Sequence, residues 1–173
     1  MPIFIGIDPG SRITGYGVIQ SEGMEHRYIT CGSLKLPTTS IDERLRVIFN
    51  SIHAIMSEFK PNEAAIEQVF MHQNPGAALK LGQARGAAIV AIAHHNISVA
   101  EYSARQIKQS VVGYGAAAKD QVQHMIRCLL NLKKTPEPDA ADALAVAICH
   151  AQTKRGIHHL VGVKGSMRRG RLR

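Results

Sequence analysis

Four carboxylates in this chain have positions that ordinary folding does not explain well: Asp8, Glu67, Asp139 and Asp142. Asp8 closes the apolar run "IFIGI" just before the turn "PGS". Taken alone, it reads equally well as the cap of that turn. Glu67 interrupts "AAIEQVF", a run apolar enough for a central strand, and a carboxylate there needs a partner or a cation. Asp139 and Asp142 stand three apart at the start of the helical pattern "PDAADALAVAICH" and so share one helix face. Complementing the helix dipole accounts for Asp139. It accounts less well for Asp142, which a strongly apolar stretch follows.

As a set the four point to one chemistry. Carboxylates gathered at one spot repel unless protonated or bound to cations. Donors that are all oxygen suit Mg²⁺ or Mn²⁺ better than zinc. Two such ions, ~3.5–4 Å apart, polarise a phosphate, generate hydroxide and stabilise the leaving oxygen. The reaction implied is phosphodiester hydrolysis, with the same four acids as metal ligands and catalytic groups.

For this to work, distant segments must meet. "IFIGI" predicts a central strand, "GYGVIQ" a second and "YITCGSLKL" a third, with links short enough for an antiparallel meander. A helix follows in "SIDERLRVIFNSIHAIMSEF", with Ser40 and Glu43 at capping-box spacing and an apolar stripe of Leu45, Ile48, Ile52, Ile55 and Phe59. "EAAIEQVF" predicts the fourth strand. Asn74-Pro75 then opens a helix rich in Ala and Gly, and "ISVAEYS" predicts the fifth strand. Helices are expected at about 103–112, 116–132 and 139–154, with ends good to ~2–4 residues. A meander followed by right-handed crossovers gives an α/β fold with a mixed five-stranded sheet flanked by helices. In that topology strands one and four are neighbours, so Asp8 and Glu67 lie side by side.

The 173 residues suit one domain with a core of its own. The start "MPIFIGID" lacks the basic lead of a signal peptide, and no apolar run approaches the roughly 20 residues needed to cross a bilayer. Cys31, Cys128 and Cys149 are odd in number and far apart, which predicts reduced thiols and a cytoplasmic setting. The net charge of +8 is unevenly placed. Of the 21 basic residues, seven lie between Ala151 and Arg173 with no acid among them, so residues 1–150 set 14 basic groups against all 13 acidic ones. The expectation is a nuclease domain over 1–155 and a basic, flexible tail over 156–173, drawn to a polyanion by counterion release.

The chain resembles the RuvC family of Holliday junction resolvases. The resemblance rests on "GIDPGSRITGYGVI", "AIEQVF", "ALKLGQARG", "ARQIKQSVVGYG", "KDQVQHMIRCLL" and "DAADALAVAICH", which occur in family order up to about residue 150, with "RGRLR" at the end. It implies a ribonuclease H-like fold, a homodimer and a four-way DNA junction as substrate. It further implies paired nicks in opposing strands that leave 5′-phosphate and 3′-hydroxyl ends, and work alongside the RuvA and RuvB branch-migration proteins. The family's catalytic acids fall on Asp8, Glu67, Asp139 and Asp142. Its DNA contacts suggest stacking by Phe70 on an unpaired base, where core packing is the general alternative. They also suggest phosphate contacts from Lys108 and Lys119. Arg12, in the turn beside Asp8, either binds phosphate or pairs with an acid.

Some features stay open at this level. Gly82 and Gly86, four apart in a helix, each cost about 1 kcal/mol against Ala. They point to close approach of the sheet, a second subunit or DNA. Gly113 and Gly115 mark a turn or a loop near DNA. The nine histidines show no zinc spacing and read mainly as surface residues, with His150 two turns below Asp142. Three other functions compete. A phosphotransferase of the sugar kinase and actin-like class would need a second domain of this kind. A junction binder without catalysis would have no use for concentrated negative charge facing phosphate. A related ribonuclease H-like nuclease acting on another nucleic acid is separated from a resolvase only by substrate comparison.

Overall fold

The structure, a computed structural model, describes residues 1–69 and 74–167. Its elements follow the expected order: β1 (Ile3–Asp8), β2 (Ile13–Glu22), β3 (Glu25–Lys35), α1 (Ile41–Phe59), β4 (Glu63–Glu67), α2 (Pro75–Ala93), β5 (Val99–Tyr102), α3 (Ala104–Val112), α4 (Lys119–Leu129) and α5 (Pro138–Met167). The five strands form one sheet in the order β3-β2-β1-β4-β5. β1, β2 and β3 pair antiparallel, whereas β4 and β5 run parallel to their neighbours. This is the mixed sheet expected from the meander and its crossovers.

Alternation along β1 divides the core in two. Ile5 and Ile7 join Val18, Ala64 and Ile66 on one face, under Ile48 and Ile52 of α1 and Ala84, Ala88 and Ile92 of α2. Phe4 joins Ile19 and Ala65 on the other face, against α3, α4 and α5. Each large aliphatic side chain buried in this way contributes about 1.5–3 kcal/mol. A slip of one residue would carry each apolar set to the opposite face, against helices shaped for the other set.

The helix ends show where local signals held. Asn74 Oδ1 accepts from the Ala77 N–H at 3.1 Å, with Pro75 at the first helical position. Ser103 and Gln106 form a complete capping box at α3, which ends on Gly113 in the left-handed region at φ 94°. Gly113 is therefore a helix stop. The capping box expected from Ser40 and Glu43 does not form. Ser40 occupies the N-cap of α1 without capping through its side chain. Its hydroxyl serves Asp42 instead and holds that carboxyl below its ordinary range. α4 is shorter than expected, and α5 continues to Met167 rather than stopping near 154. No proline follows Pro138, and Gly156 does not adopt the left-handed conformation that ends α3 at Gly113. No helix among the described residues is long and apolar enough to cross a membrane.

Candidate active site

Two parallel strands bring the first two acids together. Ile7 of β1 pairs with Ile66 of β4, so Asp8 and Glu67 are the next residue on adjacent strands. Alternation turns both away from the face occupied by Ile7 and Ile66, towards α5. Asp8 also pairs across β2 with Gly15.

Gly15 belongs to a set that admits α5. A Cβ on Gly15 would stand 2.1 Å from the Asp139 carbonyl oxygen. On Gly6 it would stand 2.2 Å from the Ala143 carbonyl, and on Gly17 2.7 Å from the Leu144 nitrogen. Gly6 and Gly17 are paired across the strands, so the three glycines make a bare patch on the centre of the sheet. The backbone of α5 lies directly on that patch at Asp139, Ala143 and Leu144. The first turn of α5 then carries Asp139 and Asp142 to the strand ends. A sequence signal for this was available, because glycine at alternate positions in paired strands marks close approach by another backbone.

On the far side of the cavity stand two lysines. An opening of about 130 Å³ is lined by Glu67 and Asp142 together with Lys108 of α3 and Lys119 of α4. Lys119 Nζ lies 2.9 Å from Asp142 Oδ2. A cation at a helix N-terminus opposes the dipole, so this placement of Lys119 needs a local reason, and Asp142 supplies it. The loop in front of α4 is pinned by Gln121, whose Oε1 accepts from the Ala118 N–H at 2.8 Å and from the Tyr114 hydroxyl at 2.7 Å.

The electrostatics record the crowding. Burial first, then Glu67, Asp142 and Asp139, push the Asp8 carboxyl up to about 8, against a lowering by Lys119. Burial and then Asp142 raise Glu67, while Lys108 and Lys119 oppose the shift. The hydrogen bond to Asp142 raises Lys119. Among the described residues, no group of three or more His, Cys, Asp or Glu stands close enough to hold a metal ion as it is. Asp142 is turned to Lys119. The donor set nonetheless fits a hard divalent cation. It is all oxygen, it comes from three rigid elements, and its negative charge is costly enough to keep Asp8 protonated at neutral pH.

The structure thus gathers Asp8, Glu67, Asp139, Asp142, Lys108 and Lys119 at one end of the sheet. It does not bring Arg12 into that group. Arg12 is exposed in the β1–β2 turn and lines a separate cavity towards α1 and α2. Phe70 lies outside the described residues. His150 is a buried residue rather than a surface one, 3% exposed. Its Nδ1 lies 2.8 Å from the Tyr102 hydroxyl and its Nε2 3.2 Å from Glu63, whose other oxygen pairs with Lys154. Burial lowers the pKa of this imidazole against the pull of Glu63. The network ties α5 to β4 and β5 below the acids. It had no sequence signal, because Glu63 and His150 are 87 residues apart.

A mixed five-stranded sheet with acids at the ends of β1, β4 and an overlying helix defines a ribonuclease H-like nuclease. The description of the family pattern that matches residues 4–150 is "crossover junction endodeoxyribonuclease RuvC". The chain is 56% identical to the protein of that name from Idiomarina loihiensis over the full length of both, and 53% identical to that from Marinobacter nauticus over all of this chain and 99% of the other. Among solved structures it is similar to Thermus thermophilus RuvC in complex with Holliday junction substrate. That match has a TM-score of 0.85 and 35% identity, and it covers 90% of this chain and 96% of the other. The chain belongs to the RuvC family of crossover junction endodeoxyribonucleases. Family membership makes it a nuclease that resolves Holliday junctions, dependent on a divalent metal.

Proposed function

We propose that Asp8, Glu67, Asp139 and Asp142 hold two Mg²⁺ ions, replaceable by Mn²⁺, and cut the two opposing strands of a four-way junction to leave 5′-phosphate and 3′-hydroxyl ends. The observation that carries this reading is the convergence of four acids from three elements, close enough to raise the proton affinity of Asp8, beside two lysines. Bound divalent ions supply Lewis-acid activation of the phosphate and lower the pKa of the attacking water. Asp8 must give up its proton for the ions to enter. Lys108 and Lys119 place positive charge where the scissile phosphate arrives, and Lys119 leaves Asp142 for it. Phe70 stacks on an unpaired base at the crossover, and Arg12 contacts phosphate outside the cut bond.

Two coordinated nicks need two sites, and α2 offers the surface for a homodimer. Leu79, Gly82, Gly86 and Val90 follow helical spacing, and Leu79 and Val90 are 66% and 59% exposed. A Cβ on Gly82 or Gly86 would meet nothing within 4 Å among the described residues. That removes the sheet as the reason for these glycines and leaves a second subunit or DNA; the exposed apolar pair beside them favours the subunit. The domain proper spans residues 1–155. Residues 156–173 add a cationic contact to DNA, and the enzyme acts in the cytoplasm with RuvA and RuvB.

The deciding experiment is a nicking assay on a synthetic four-way junction with Mg²⁺, products mapped on all four strands, beside a linear duplex and an RNA–DNA hybrid at the same salt. Symmetric paired cuts confined to the junction are expected. Equal cutting of all three substrates would overturn the junction reading. Tight binding without cutting would overturn the catalytic one.

A further inference from the structure

A second cavity, of about 680 Å³, opens at the same end of the sheet as the acids but on its other face. Ser11 and Arg12 of the β1–β2 turn, Thr38 of the β3–α1 loop, Arg44 of α1, and Asn74 and Lys80 of α2 line it. It shares no lining residue with the opening around Glu67 and Asp142. Three of its residues are cationic and none is acidic. Among the described residues, Arg12, Arg44 and Lys80 form no ion pair. The Arg44 Nε is sealed from solvent without a hydrogen-bond partner. A guanidinium with one donor left unpaired gains from an anionic partner, and Arg44 lines the cavity where one could sit.

We propose that this cavity binds a backbone phosphate of the junction DNA away from the cleaved bond, through Arg12, Arg44 and Lys80. The inference rests on the junction-cutting reading and deepens it. A strand lying across the ends of β1 and β4 would pass from Lys108 and Lys119 on one face, over the acids, to this cavity on the other. Phosphate suits the donors: two guanidiniums, an ammonium and the Ser11 and Thr38 hydroxyls surround the opening, and α2 presents its N-terminus there. The arrangement sets the strand's path from both sides while the acids stay between. Arg12 thereby acts with two residues that sequence motifs did not single out.

The test uses the full-length chain and a fluorescent four-way junction without divalent ion, titrated at several salt concentrations. Each phosphate contact contributes about 0.9 to the slope of log affinity against log salt. Lys80→Gln should therefore lower the slope by about one and Arg44→Gln/Lys80→Gln by about two, with affinity down roughly tenfold or more. Arg44→Lys should restore most of the Arg44 share. Lys80 is exposed, so Lys80→Gln and Lys80→Glu carry the test even if Arg44→Gln folds poorly. A parent protein that binds and cuts junctions, with Lys80 variants that keep its affinity and slope, would overturn the phosphate site alone. A parent protein that binds no junction would overturn both this site and the reading it rests on.

Discussion

The two faces of the sheet meet at one functional end but are built on opposite principles. On the α5 face Gly6, Gly15 and Gly17 bare the centre of the sheet, and a helix backbone lies almost against it. On the α1–α2 face the strands carry Ile5, Ile7 and Ile66, and the helices stand off on bulky aliphatic side chains. The first arrangement draws charged groups inward, because a helix that close must place Asp139 and Asp142 over Asp8. The second leaves room at the edge, and that room is lined with unpaired cations. Close packing concentrates negative charge where ions are needed, and open packing leaves positive charge where a strand must rest.

The largest expected effect breaks the acidic side. Asp8→Asn or Glu67→Gln should lower junction nicking by about 10³-fold or more, since metal activation is worth several kcal/mol. Junction binding should persist, because removing an acid cannot weaken attraction for phosphate. Nicking rates and gel-shift affinities measured on the same junction check this. Binding that vanished with cutting would mean that these residues hold the fold rather than the ions.

Gly15→Ala tests the packing that makes the acidic side possible. The new Cβ would meet backbone, the Asp139 carbonyl, which has no flexible end to swing away. The first turn of α5 must move. A cost of roughly 1–3 kcal/mol in stability is expected. A tenfold or greater fall in nicking should accompany it, since misplacement of about 1 Å can cost 10²-fold. Denaturant unfolding and the rate at saturating Mg²⁺ would show both. Full activity in Gly15→Ala would mean that Asp139 and Asp142 tolerate more displacement than close packing allows.

How much of this was legible follows the same division. Alternation in "IFIGI", the proline after Asn74 and the apolar stripe of α1 act locally, so strand order and most helices were readable. The acids were readable because Glu67 conflicts with its apolar surroundings, and such conflict marks function. The Ser40 cap failed although its spacing was right: Ser40 acts on Asp42 rather than on the free N–H groups of the helix. The Glu63–His150–Tyr102 network and the Lys119–Asp142 pair were out of reach, since each joins elements whose approach is set by the whole sheet. Arg12 was visible as a cation beside Asp8. Arg44 and Lys80 belong to α1 and α2, and only the fold places them beside it.

A pH series separates the faces without changing the packing. Asp8 binds its proton up to about pH 8 in the folded, metal-free protein, against an ordinary value of 3.8. Between those limits the folded state holds a proton that the unfolded chain has lost. Metal-free stability from this group is therefore full below about pH 4 and falls as pH rises towards 8. Glu67, also raised, acts in the same direction. Asp8→Asn should gain thermal stability over the parent, by more at pH 8 than at pH 5. Mg²⁺ competes with that proton, so its stabilising effect on the parent should grow over the same interval. Parallel pH profiles for parent and variant would show that the crowding of acids is weaker than the geometry implies.

The smallest effect belongs to the open face and completes the contrast between its glycines and those under α5. Gly82→Ala adds a methyl group that meets no neighbour within 4 Å among the described residues. In a lone subunit the substitution should raise helix stability by up to about 1 kcal/mol. Between two α2 helices the same methyl group holds the backbones apart, and a loss of roughly tenfold in dimer affinity corresponds to about 1.4 kcal/mol. The variant should therefore unfold later than the parent at low protein concentration and lose that advantage as concentration rises. Sedimentation equilibrium alongside thermal unfolding at two concentrations measures both. An unchanged dimer constant would move the subunit contact off the Leu79–Val90 stripe, and the glycines under α5 would remain the ones whose bareness the fold requires.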